Sequence, residues 1–89
     1  MTWQIEFDET AKKELSKLDR QSARRLLDFL IDRVSTRKNP RNIGQALRGS
    51  QLGEFWKYRV GDFRIIVKIQ DDKMIVLVLR VGNSREIYK

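Results

Sequence analysis

Lys57, Arg59 and Arg64 stand where a β-hairpin would gather them onto one surface. Residues 54–60 and 63–70 each alternate apolar and polar side chains, the two-residue period of a half-buried strand. Gly61-Asp62 between them suits a two-residue turn, with glycine supplying the positive φ. Pairing Val60 with Phe63 sets Tyr58 opposite Ile65, Lys57 opposite Ile66 and Arg59 opposite Arg64. One face then carries Trp56, Tyr58, Val60, Phe63, Ile65 and Val67. The other carries Lys57, Arg59 and Arg64, with Lys68 further along. Directly opposed like charges destabilise a sheet, by analogy with the ~0.2–1 kcal/mol that favourable pairs contribute, and no acidic residue is expected beside them. An ordinary solvated face is the alternative reading; an anionic ligand is the simpler explanation of two opposed arginines. Guanidinium groups stay charged and grip phosphate through paired hydrogen bonds.

The rest of the sequence narrows the chemistry. There is no cysteine and no histidine, so thiolate or imidazole nucleophiles, disulfides and the usual zinc ligand sets are excluded. The five glycines form neither a P-loop nor a dinucleotide fingerprint. No metal or cofactor site is expected. A metal-free basic pocket suits phosphoryl transfer in RNA. There the substrate's own 2′-hydroxyl attacks, and the protein orients the strand, stabilises developing charge and moves protons.

The net charge of +7 is unevenly placed. Residues 1–36 carry seven basic and seven acidic side chains. Residues 37–70 carry eight basic (Arg37, Lys38, Arg41, Arg48, Lys57, Arg59, Arg64, Lys68) against Glu54 and Asp62. A charge concentrated this way reads as the footprint of a polyanion.

The elements that must position these cations follow from pattern. The 89 residues are expected to form one domain (1–89). Trp3, Ile5 and Phe7 alternate as a first strand. Asp8 caps a short helix near 9–18, and Asp19 a second near 20–36 with Ala23, Leu26, Leu27, Leu30, Ile31 and Val34 inward. Asn39-Pro40 ends the helical region. Residues 37–50 read as a basic loop with Leu47 as its anchor; Lys38, Arg41 and Arg48, together with Lys68, are candidate phosphate contacts. Strands at 54–60, 63–70 and 74–81 complete an α+β fold of order β-α-α-β-β-β. Two helices lie on one face of a mainly antiparallel sheet. A tight turn at Asp71-Asp72 would put Leu79 opposite Arg64. By strand parity Arg85 would then reach the same face, and Tyr88 could stack on a base, transfer a proton or simply end the strand. The N-terminus lacks the features of a signal peptide, and no apolar run approaches a membrane span, so cytoplasm is the expected compartment.

The residues Phe7-Asp8-Glu9-Thr10-Ala11, Ala46-Leu47-Arg48-Gly49, Trp56 through Ile65, and Val81-Gly82 through Tyr88 together resemble the RelE/ParE toxin superfamily, its RelE branch most closely. The resemblance implies an endoribonuclease that enters the ribosomal A site and cleaves messenger RNA, leaving a 2′,3′-cyclic phosphate and a 5′-hydroxyl. It places Lys57, Arg59, Arg64, Arg85 and Tyr88 among catalytic positions and Arg48 in the basic loop before them. Two departures stand out. Arg59 occupies a position where a family member has a lysine proposed as base, and arginine does not give up its proton; the base would be Lys57, Tyr88 or a group of the ribosome. Asn83-Ser84 replaces a common His-Arg pair, so the family's C-terminal arginine is either displaced to Arg85 or missing. Implied partners are the ribosome with its rRNA, the messenger RNA and an acidic RelB-like antitoxin, with operator DNA reached only through the antitoxin and no membrane. The same fold also serves ParE-like gyrase inhibitors, and a non-catalytic RNA- or DNA-binding module is a third reading.

Overall fold

The computed structural model describes residues 2–47 and 54–83. The chain opens with β1 (Gln4–Phe7), and Asp8 converts strand into helix. Its backbone is extended, and its carboxylate accepts the Thr10 N–H at 3.2 Å to start α1 (Glu9–Ser16). Asp19 does the same for α2 (Arg20–Phe29), accepting the Ser22 N–H at 3.0 Å. Each cap satisfies a backbone donor that the helix itself leaves unpaired, which contributes about 1 kcal/mol.

The second helix differs from expectation at its end. It passes into one π-helical turn, Leu30–Val34, in which the Ser35 N–H reaches the Leu30 carbonyl at 2.9 Å. The Ser35 and Thr36 hydroxyls donate to the carbonyls of Ile31 and Asp32, a local competition that ends regular helix. The Ser35 carbonyl in turn accepts the Trp3 N–H at 2.8 Å, tying the helix end to the start of β1.

The segment expected to be a plain basic loop is more ordered. Asn39 caps a 3-10 turn (Pro40–Ile43), and a two-residue strand β2 (Gln45–Ala46) follows. Leu47 continues the pairing through its N–H to the Phe55 carbonyl at 3.1 Å rather than anchoring in the core. Then come β3 (Phe55–Val60), β4 (Phe63–Gln70) and β5 (Ile75–Asn83). The sheet order is β1-β5-β4-β3-β2. All pairings are antiparallel except β1 with β5, which is parallel, so the sheet is mixed and holds one strand more than expected.

The helices cover one face. Ala11, Leu26, Leu30 and Val34 are buried together with Tyr58, Val60, Ile65, Val67, Ile69, Val76, Val78 and Val81. Leu26, Leu30 and Val34 recur every four residues and so form a single inward row. Ala23, Leu27 and Ile31 form the neighbouring row, and its last member is 57% exposed rather than inward.

The β3–β4 hairpin has the expected register throughout, with Val60 opposite Phe63, Arg59 opposite Arg64, Tyr58 opposite Ile65 and Lys57 opposite Ile66. Gly61 takes φ +61° at the turn. The β4–β5 connection corrects the sequence reading. It spans Asp71 to Met74, with Met74 at φ +54°. A register shift between Ile66 and Val67 sets Ile66 opposite Arg80 and Val67 opposite Val78. Leu79 is left as the extra residue of a bulge. Gly82, not Leu79, therefore lies opposite Arg64. The bulge also breaks the parity by which Arg85 was assigned to the basic face.

Candidate nucleic-acid interface

The face turned away from the helices is built in rows across the strands, because directly opposed residues share a face. One row runs Gln45, Lys57, Ile66, Arg80, and the next Arg59, Arg64, Gly82. Lys57, Arg59 and Arg64 line a single pocket of about 250 Å³ with Ile43, Gly44 and Gln45. The two-residue turn makes Val60 and Phe63 the hydrogen-bonded closing pair, so Arg59 and Arg64 form the next, non-hydrogen-bonded pair, in which side chains come closest.

Neither arginine is neutralised by a carboxylate among the described residues. Arg59 Nε donates to the Gly61 carbonyl at 3.5 Å and Arg64 to the Phe63 carbonyl at 3.3 Å, contacts that steady the side chains and leave their charge uncompensated. Lys57 is half-buried and lies directly opposite Gln45 of the edge strand. Arg59 also borders a second surface depression beyond the hairpin tip, lined by Arg25, Asp28, Asp32 and Arg33.

The walls of the pocket are fixed from below. A Cβ on Gly44 would stand 2.8 Å from the Tyr58 ring and 3.0 Å from the Lys57 carbonyl, so only glycine fits without displacement. The Tyr58 ring is buried, meets Phe29 edge-on at 5.8 Å, and donates its hydroxyl to the Pro40 carbonyl at 2.7 Å. Burial pushes the Tyr58 phenol well above its ordinary pKa, which keeps it a donor.

Other predicted contacts separate from this cluster. Arg41 grips Asp71 through two hydrogen bonds of 2.9 and 2.7 Å and lies 6.0 Å over the Trp56 ring. Its guanidinium clamps the 3-10 turn to the β4–β5 turn and is not among the residues lining the pocket of Lys57, Arg59 and Arg64. Lys68 lies 5.9 Å over the Phe55 ring and lines a different groove with Glu54, Asp71 and Asp72. Lys38 borders a separate recess with Trp3, Arg37 and Met74. Arg48, Arg85 and Tyr88 lie outside the described residues. Arg80, on the same face by register, is instead drawn to α1: its guanidinium meets Glu14 at 2.9–3.2 Å, and Glu14 also accepts the Val81 N–H.

Sequence reasoning missed Ile43, Gly44 and Gln45 as pocket residues. A two-residue strand is too short to show a period, and nothing else in the sequence marks its partner. No helix among the described residues is long and apolar enough to cross a membrane.

Comparison with known proteins agrees with this geometry. Residues 5–88 match the family described as the ParE toxin of type II toxin–antitoxin systems. The toxin RelG of Mycobacterium tuberculosis (strain ATCC 25618 / H37Rv) is 29% identical, over 100% of this chain and 99% of that one. The mRNA interferase toxin RelE of Escherichia coli K12 is 30% identical, over 99% of this chain and 92% of its own. Among solved structures, the RelBE2 toxin–antitoxin complex of M. tuberculosis superposes with a TM-score of 0.81 at 26% identity, covering 93% of this chain and 92% of that one. A variant of E. coli RelE in the free state gives 0.79 at 29% identity, covering 99% and 92%. The chain belongs to the RelE/ParE superfamily and is a toxin of a RelBE-type toxin–antitoxin system.

Proposed function

We propose that this toxin is a metal-independent endoribonuclease that cleaves messenger RNA in the ribosomal A site. The observation that carries the reading is the convergence of Lys57, Arg59 and Arg64 on one pocket, with no carboxylate against either arginine among the described residues. A phosphodiester seated there supplies the missing charge. The adjacent 2′-oxygen bonds to phosphorus and loses its proton to a base, while the bond from phosphorus to the 5′-oxygen breaks and that oxygen gains a proton. The products are a 2′,3′-cyclic phosphate and a 5′-hydroxyl. Arg59 and Arg64 stabilise the crowded phosphorane, a role in which one such donor is worth roughly 3–4 kcal/mol. Lys57 is the described side chain in the pocket that can exchange a proton; by family resemblance Tyr88 is a second proton-transfer candidate, Arg85 a catalytic position that keeps its charge, and Arg48 a contact to the strand.

The relatives' names and complexes support the partners. RelE of E. coli is an mRNA interferase, and RelE toxins have been solved bound to RelB antitoxins. An acidic antitoxin covering the basic face would compete with RNA for the same charges. Expression of the chain alone, with 5′ ends of cellular messages mapped, tests the reading. Codon-aligned cuts that vanish in Arg64→Ala support it. Double-strand DNA breaks with intact messages would replace it by the gyrase-directed reading of the ParE branch, and harmless expression by the non-catalytic one.

A further inference from the structure

We infer that Gln45 reads a nucleobase edge, favouring adenine, beside the phosphate held by Lys57, Arg59 and Arg64. The inference rests on the reading that RNA occupies this pocket and adds which part of the RNA is read.

Cations position a phosphate without distinguishing sequence; selectivity comes from contacts to base edges. Of the six residues lining the pocket, Ile43, Gly44, Gln45, Lys57, Arg59 and Arg64, Gln45 is the one with an uncharged hydrogen-bonding side chain. It is exposed, and its carboxamide has no hydrogen-bond partner among the described residues. Register places it directly opposite Lys57 and hence on the same face. A glutamine carboxamide offers an acceptor and a donor side by side, which match the N6 amino group and N7 of adenine. Ile66, opposite Lys57 on the same face and half-buried, and Ile43 in the pocket wall give apolar surface against which a base plane can rest.

The placement of Gln45 is fixed by its surroundings. Gly44 packs on the Tyr58 ring with no space for a Cβ. The Tyr58 hydroxyl holds the Pro40 carbonyl, and Arg41 fastens the same turn to Asp71. The backbone that carries the carboxamide is thus held before any ligand arrives, which is the condition for a directional contact to discriminate.

The test uses fluorescein-labelled 2′-O-methyl hexamers of adenine and of cytosine, which lack the attacking hydroxyl, titrated with the full chain and followed by anisotropy. The wild type binds the adenine hexamer more tightly by about 5-fold to 100-fold, the range expected for one bidentate base contact. Gln45→Ala brings the two affinities together. Gln45→Glu lowers the adenine preference as well, because a carboxylate still accepts from an amino group of either base but cannot donate to adenine N7. Circular dichroism checks that the variants fold. An adenine-to-cytosine ratio that is the same in all three proteins, or a wild type that binds neither hexamer, overturns the inference. Message mapping in parallel separates it from the nuclease reading: a Gln45-dependent preference without cuts sinks the nuclease and keeps the base contact, whereas cuts without that preference do the reverse.

Discussion

Replacing Arg64 by glutamine separates what the basic face does for stability from what it does for function. Glutamine keeps most of the stem and removes the charge. Arg59 and Arg64 are directly opposed, and such pairs hold their Cβ atoms about 5 Å apart. Guanidinium charges as close as that would repel in water by about 0.8 kcal/mol, which sets the upper limit for the pair. The hydrogen bond lost with the guanidinium is a 3.3 Å contact to the Phe63 carbonyl, partly exposed and therefore weak. Arg64→Gln is thus expected to leave stability unchanged or raise it by up to about 0.8 kcal/mol in low salt, with the gain fading toward molar salt as the screening length shrinks to ~3 Å. Arg59→Gln should behave alike, and the double variant should gain no more than either single one, since each relieves the same repulsion. Cleavage of a translated message by primer extension should fall by ~100-fold to 1,000-fold. A variant that cuts within about tenfold of wild type, or one that loses more than about 1 kcal/mol in urea unfolding, would refute the argument that this pair is maintained for an anionic ligand.

Three further substitutions probe the support of the pocket. Gly44→Ala places a methyl 2.8 Å from the Tyr58 ring and should cost about 1–3 kcal/mol by urea denaturation. Tyr58→Phe strands the Pro40 carbonyl and should cost about 1–3 kcal/mol, with reduced RNA binding because the 3-10 turn beneath the pocket loosens. Asp71→Asn tests the clamp through pH. Hydrogen bonds from Arg41 hold the Asp71 carboxyl below its ordinary value, so its contribution is full above an unfolded pKa of about 3.9 and disappears as pH falls through the lower native value. Asp71 is 62% exposed, so the wild-type advantage in melting experiments should stay under about 1 kcal/mol near pH 6 and close as acidification passes the lowered native value.

The hairpin was legible because two clear alternations flank a two-residue turn, which leaves one register that puts every apolar side chain on the same face. The helix caps were equally legible, because Asp8 and Asp19 act within three residues of themselves. Met74 to Leu79 had no such clarity. An unbroken apolar run carries no period, so the bulge at Leu79 was invisible and the pairing of Leu79 with Arg64 was misread. The long-range pieces were hidden for another reason. Nothing local to Arg41 announces Asp71, thirty residues away, and nothing in Trp3, Ile5 and Phe7 says that their strand will lie parallel to β5. The cations of the pocket could be read from strand parity alone. Gln45, set by a two-residue strand, could not.

The adjacency of β1 and β5 bears on how the molecule comes into being. During vectorial synthesis the opening strand emerges long before residues 75–78, its neighbours in the finished sheet. Closing so distant a pair carries the entropy of nearly the whole intervening chain and is therefore slow. The β3–β4 hairpin, basic face included, is translated earlier than the strand that joins it to the amino-terminal layer. A truncated product would thus hold the charged residues without the assembled body that orients them. The order of the sheet therefore becomes complete only when residues 75–78 have been made and can reach back to β1.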